Sequence, residues 1–106
     1  MITAIVQFKY PKGTPRDVVM KNLRASVPKF LGAKGLMRKH YLYSDEGIGG
    51  GAYLWESREA AEAVYTLEWR RQLAERYGAA PTISYFETPF VIDNTTGEVI
   101  DDTGLS

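Results

Sequence analysis

Gly47-Ile48-Gly49-Gly50-Gly51-Ala52-Tyr53-Leu54-Trp55 is a glycine-rich turn that runs straight into a strand ending in large aromatics. Glycine inside a strand marks a bulge or a close approach of backbone or ligand. A floor without side chains beside Tyr53 and Trp55 leaves room for something flat. The plainer reading is a hairpin loop and nothing more. Immediately upstream, Leu36 to Tyr43 alternates as a second strand. Leu36, Arg38, His40 and Leu42 share one face; Met37, Lys39, Tyr41 and Tyr43 share the other. Ser44-Asp45-Glu46-Gly47 turns this strand back into residues 48–56, where Ala52 and Leu54 oppose Tyr53 and Trp55.

Further out, Ile2 to Tyr10 reads as a first strand. Ile2, Ala4, Val6, Phe8 and Tyr10 make an apolar face suited to packing under helices, and Gln7 falls on the mixed face. Thr14 predicts an N-cap, with Pro15 at the first helical position. Val19, Leu23 and Val27 continue as a stripe, and Pro28 predicts a helix end near Val27. Residues 29–35 read as a turn region with Phe30 and Leu31 as plugs. Ser57 predicts a second cap, with Glu59 in the first turn of its helix. Thr66 is a further cap or a break; Trp69, Leu73 and Tyr77 recur every four residues up to the stop at Gly78. Residues 81–91 read as a fourth strand in which Pro89 implies an edge or bulge. Asn94 to Gly97 turns the chain, residues 98–100 return as a short strand, and 101–106 read as a frayed tail.

Strand, helix, strand, strand, helix in two pieces, strand is the order of an α+β, ferredoxin-like split β-α-β fold. It predicts an antiparallel four-stranded sheet with helices on one face, in a single domain spanning residues 1–100. On this reading the other face carries Gln7, Tyr53, Trp55, Tyr85 and either His40 or Tyr41, too aromatic to leave in water. Two such sheets packed face to face resolve the problem as a homodimer with a cavity in each subunit.

Composition narrows the classes. The chain has no cysteine, which excludes a disulfide framework, a thiolate metal site and a Cys nucleophile. The net charge is zero, which argues against nucleic acid as the main partner. Charge is nevertheless uneven: residues 1–40 hold nine Lys and Arg against Asp17 alone, and residues 41–106 hold four against twelve Asp and Glu. That split suits an anionic ligand near the first half, or self-complementary subunits, unless the halves interleave and the field cancels. No apolar run approaches a membrane span and Met1 leads directly into a strand pattern, so cytoplasmic residence without a membrane partner is the expectation.

Gly49 to Trp55, followed by Ser57-Arg58-Glu59-Ala60-Ala61 and preceded by Gly35-Leu36-Met37-Arg38-Lys39, resembles the YdhR-like monooxygenases of the dimeric α+β barrel superfamily. The likeness runs over most of residues 2–92. It implies a homodimer, a pocket between sheet and helices, and oxygenation with neither metal nor organic cofactor. Other branches of that superfamily bind and degrade haem through an amide on strand one, a Trp and a His on the second helical region. Gln7 and Trp69 could stand in for two of these, but residues 57–78 contain no His, which counts against haem. No metal-ligand spacing is present, and the glycines lead into a strand, so they do not form a phosphate cradle.

Oxygenation without a cofactor needs a base, donors for an enolate or phenolate oxygen, and a dry pocket. His40 is the one histidine and titrates in the right range. Arg38, two residues away on the same face, could hold the anion. Gln7, Tyr41, Gly51, Tyr53, Trp55, Trp69 and Tyr85 are the expected contacts to a small aromatic ligand. If His40 faces the helices, Lys39 and Tyr41 line the cavity and take the anion-holding and acid–base roles; periodicity does not choose. A non-oxidative binder or isomerase/cyclase with the same pocket is the alternative, and a filled dimerisation module is a third reading.

Overall fold

The computed structural model describes residues 1–102. Strands β1 (Ile2–Lys9), β2 (Leu36–Tyr43), β3 (Ile48–Trp55) and β4 (Thr82–Glu87) form one antiparallel sheet in the order β2-β3-β1-β4. Helices α1 (Arg16–Ala25) and α2 (Val27–Phe30) connect β1 to β2; α3 (Arg58–Val64) and α4 (Leu67–Tyr77) connect β3 to β4. This is the ferredoxin-like α+β arrangement, with the core between the sheet and the helices.

Local chemistry explains most of the element ends. Ser57 Oγ accepts from Ala60 N at 3.2 Å, and Thr66 Oγ1 accepts from Trp69 N at 3.1 Å, so both hydroxyls cap helices. Gly78, at φ +86°, closes α4 in a conformation that suits glycine. The expected Thr14 cap is displaced by one residue: Pro15 takes the cap position, and Thr14 Oγ1 donates to Pro11 O at 2.6 Å. The first helix stops at Ala25, and Val27 begins a separate short helix with Pro28 in its first turn, where proline is tolerated.

The expected fourth strand, 81–91, is two strands. β4 stops at Glu87, and beyond Pro89, β5 (Phe90–Asp93) pairs with β6 (Glu98–Asp101) in a separate two-stranded sheet. Proline has no N–H to give a ladder, so the break falls where the chemistry requires it. Asp101 pairs with Phe90, Asp102 N donates to Pro89 O at 2.8 Å, and the Asp102 carboxylate bonds the N-terminal ammonium. Of the expected frayed tail, positions 103–106 lie outside the described residues.

The register decides which face each side chain takes. Ala4, fully buried under the helices, stands between Tyr53 and Tyr85. Tyr53, Trp55 and Tyr85 therefore look toward the helices, which corrects their expected place on the uncovered face. The physical reason is burial of large rings together with a partner for the indole: Trp55 Nε1 donates to Tyr65 Oη at 3.1 Å within the core. On β2, Lys39 pairs with Tyr53 and Tyr41 with Gly51, so Lys39, Tyr41 and Tyr43 share the helix side. The uncovered face instead presents Gln7, His40, Leu42 and Phe86, all exposed in the single chain.

Candidate functional site

β2 delivers Lys39 beneath α2, and its ammonium group meets three rings. Nζ lies 3.6 Å from the Phe30 ring centroid, 3.9 Å from that of Tyr41 and 4.5 Å from that of Tyr53. Gly51 makes this possible, because a Cβ there would lie 2.9 Å from Tyr53 Cε1 and 3.1 Å from Lys39 Cε. The caged amine opens on a cavity of about 330 Å³ between sheet and helices. Tyr41, Tyr53 and the backbone of Gly50 line it from the sheet, Lys29 and Phe30 from α2, and Trp69 and Arg76 from α4. Lys39 also borders a second cavity of about 260 Å³ beside Leu36 and Met37.

The cavity is electropositive. Lys29, Lys39 and Arg76 line it, and no Asp or Glu does. Burial, and then the neighbouring Lys29 charge, lowers Lys39 from its usual 10.5 to about 7. The ring faces of Phe30, Tyr41 and Tyr53 attract an ammonium and so act in the opposite direction. Burial also lowers Lys29, with Arg76 as the second cause. The Tyr53 phenol is pushed up by burial and stays a neutral donor. Ser26 Oγ and Tyr41 Oη, both in the lining, are hydrogen-bonded at 2.7 Å. Near neutral pH, Lys39 is divided between amine and ammonium, so it can take a proton from a bound phenol or enol and then hold the resulting anion.

The expected site residues fall into three groups. Tyr41, Tyr53 and Trp69 come together at the cavity. Gly51, Trp55 and Tyr85 lie on the same side of the sheet but not in its lining: Gly51 sits beneath the caged lysine, Trp55 is fully buried, and Tyr85 packs under Arg58, whose Cζ is 4.2 Å from its ring centroid. Gln7, Arg38 and His40 occupy the opposite face. Arg38 Nη2 donates to Asp93 Oδ2 at 2.6 Å and so ties β2 to the β5–β6 hairpin. The Thr95 hydroxyl and then Arg38 hold the Asp93 carboxyl down at about 2.

The sequence does not single out Lys29 and Arg76, and it marks Phe30 only as a plug. The signal for Phe30 and Lys29 was their adjacency just ahead of a strand carrying Lys39 and Tyr41 on one face. Nothing comparable pointed to Arg76, which reaches the cavity only because α4 packs across it. Among the described residues, no group of three His, Cys, Asp or Glu side chains is placed to hold a metal ion, and no helix is long and apolar enough to cross a membrane.

Solved structures share this fold. A protein of unknown function from Nitrosomonas europaea, NE2512, superposes with a TM-score of 0.66 at 13% identity, covering 82% of this chain and 87% of that one. A candidate antibiotic biosynthesis monooxygenase from Deinococcus radiodurans gives 0.60 at 10% identity over 88% and 97% of the two chains. A second such candidate, from Bordetella bronchiseptica, gives 0.60 at 18% identity over 82% and 95%. At these identities the likeness establishes the fold alone. No family model matches the chain, and no curated protein matches it in sequence.

Proposed function

We propose that the chain is a cofactor-independent monooxygenase of the YdhR-like type, acting on a small aromatic or polyketide-like substrate in the cavity around Lys39. The carrying observation is a lysine lowered to about 7 among three ring faces, in a cavity that Lys29 and Arg76 also line and no carboxylate does. The acid–base role expected of His40 passes to Lys39, because His40 lies across the sheet from the cavity. Lys29 and Arg76 take the anion-holding role expected of Arg38, which is paired with Asp93. Neutral Lys39 removes a proton from a phenol or enol, the ammonium stabilises the anion, and that electron-rich anion reduces oxygen directly. Phe30, Tyr53 and Trp69 supply flat contacts to the substrate. A homodimer formed through the uncovered sheet face, in the cytoplasm, completes the proposal: Leu42 and Phe86, 37% and 57% exposed, would be covered by the second copy.

The alternative is a binder or isomerase/cyclase that uses the same cavity without oxygen. Incubation with anthrone in air and under argon separates the two. The proposal predicts oxidised product in air only; equal conversion in both atmospheres removes the oxygenase and leaves the alternative.

A further inference from the structure

We infer that Lys39 is a covalent capture site, forming an imine with an aldehyde or ketone carried by an anionic aromatic ligand. This goes beyond the oxygenase reading and needs no oxygen chemistry. Its basis is the placement of the amine. Among the described residues, Lys39 Nζ has no hydrogen-bond or ion-pair partner; its neighbours are the ring faces of Phe30, Tyr41 and Tyr53. An amine whose lone pair is not engaged, at the wall of a cavity large enough for a one-ring or two-ring molecule, can attack a carbonyl carbon lodged there. Desolvation and a neighbouring cation are the two means by which a lysine becomes a nucleophile at neutral pH, and burial and Lys29 provide both.

The step balances without an added oxidant or reductant. The Nζ lone pair forms a C–N bond, and the carbonyl π electrons move to oxygen. The resulting carbinolamine loses its oxygen as water, with one hydrogen from Nζ and one from the addition, leaving C=N. Lys29 and Arg76 select a carbonyl compound that also carries a carboxylate or phenolate, since nothing acidic lines the cavity to oppose it. Phe30 and Trp69 favour a ring over an aliphatic chain.

The experiment uses the full chain under argon at pH 7, with 4-carboxybenzaldehyde as the probe. Sodium cyanoborohydride traps any imine as a stable secondary amine, and peptide mapping by mass spectrometry locates it. An ordinary lysine is neutral in only about one molecule in 3,000 at this pH. Trapping is therefore expected at Lys39 about tenfold or more faster than at the exposed Lys12 and Lys34. Excess 4-hydroxybenzoate, an anionic ring with no aldehyde or ketone for an amine to capture, is expected to slow labelling of Lys39 and leave Lys12 unchanged. Labelling of Lys39 no faster than of Lys12 would overturn the inference, as would an unchanged adduct yield in K39R. Because oxygen is excluded, the result stands apart from the anthrone comparison.

Discussion

Gly50→Ala is expected to destabilise the chain more than any other single methyl added to the glycine run. Gly50 has φ +149°, and a Cβ built on it lies 1.9 Å from Val6 O and 2.9 Å from Val6 C. Those are backbone atoms of β1, held in register on both sides by β3 and β4, so they cannot step aside without opening the ladder. Gly49→Ala differs in kind. Its Cβ would lie 2.5 Å from Tyr10 Cε2 and 3.2 Å from Phe8 Cε2, so packed rings rather than the β1 backbone would have to give way. We expect Gly50→Ala to cost more than about 3 kcal/mol and Gly49→Ala about 1–2 kcal/mol. Against a typical total of about 5–15 kcal/mol, the first leaves a marginal protein and the second a folded one. Urea midpoints for the two variants test the order; a Gly50→Ala midpoint equal to that of the parent would show that β3 does not approach β1 as described.

The second large effect concerns Lys39. Lys39→Met is expected to lower oxygen uptake with anthrone by about 10²–10⁴-fold, the usual reach of a positioned base. It should at the same time raise the melting temperature. The folded-state pKa of about 7 lies below the unfolded 10.5, so the amine binds its proton less readily when folded. Stability is fullest above 10.5, is lost as pH falls toward 7, and stays reduced below that. Methionine removes this penalty; discounted for the partial exposure of Lys39, the gain at pH 7 is about 1–2 kcal/mol and should vanish above pH 10.5. The parent's kcat/KM should rise with pH through about 7, because the neutral amine is the active form. Lys39→Arg keeps a cation but cannot act as a base near neutrality, so it should be as inactive as Lys39→Met.

The fold was legible because its punctuation has direct causes. Ser57, Thr66 and Gly78 mark helix ends by what their atoms can bond or which φ they tolerate. The hairpin from Leu36 to Trp55 is dictated by alternation and a glycine turn. The site was legible only in part, because alternation gives two faces without saying which one meets the helices. In β3 both sets, Ala52 with Leu54 and Tyr53 with Trp55, are apolar, and the glycines before them carry no side chain to break the tie. The choice is made across the sheet, where Ala4 of β1 sets Tyr53 on the buried side and Lys39 follows as its β2 neighbour. His40 drew attention by its chemistry and Lys39 earned its place through its surroundings, which a one-dimensional pattern does not contain. The room over the glycines was also read too generously: Tyr10 and Phe8 occupy the space beside Gly49, and the open volume lies further along, over Gly50.

The claim on which the account rests is that ligand chemistry belongs to the helix side of the sheet. Amide and indole chemical shifts, followed while 4-hydroxybenzoate is titrated into the full chain, test it most directly. Changes are expected at Phe30, Lys39, Tyr41, Tyr53 and the Trp69 indole, with Gln7 and His40 unmoved. Changes centred on Gln7 and His40, with the Lys39 cage silent, would contradict it.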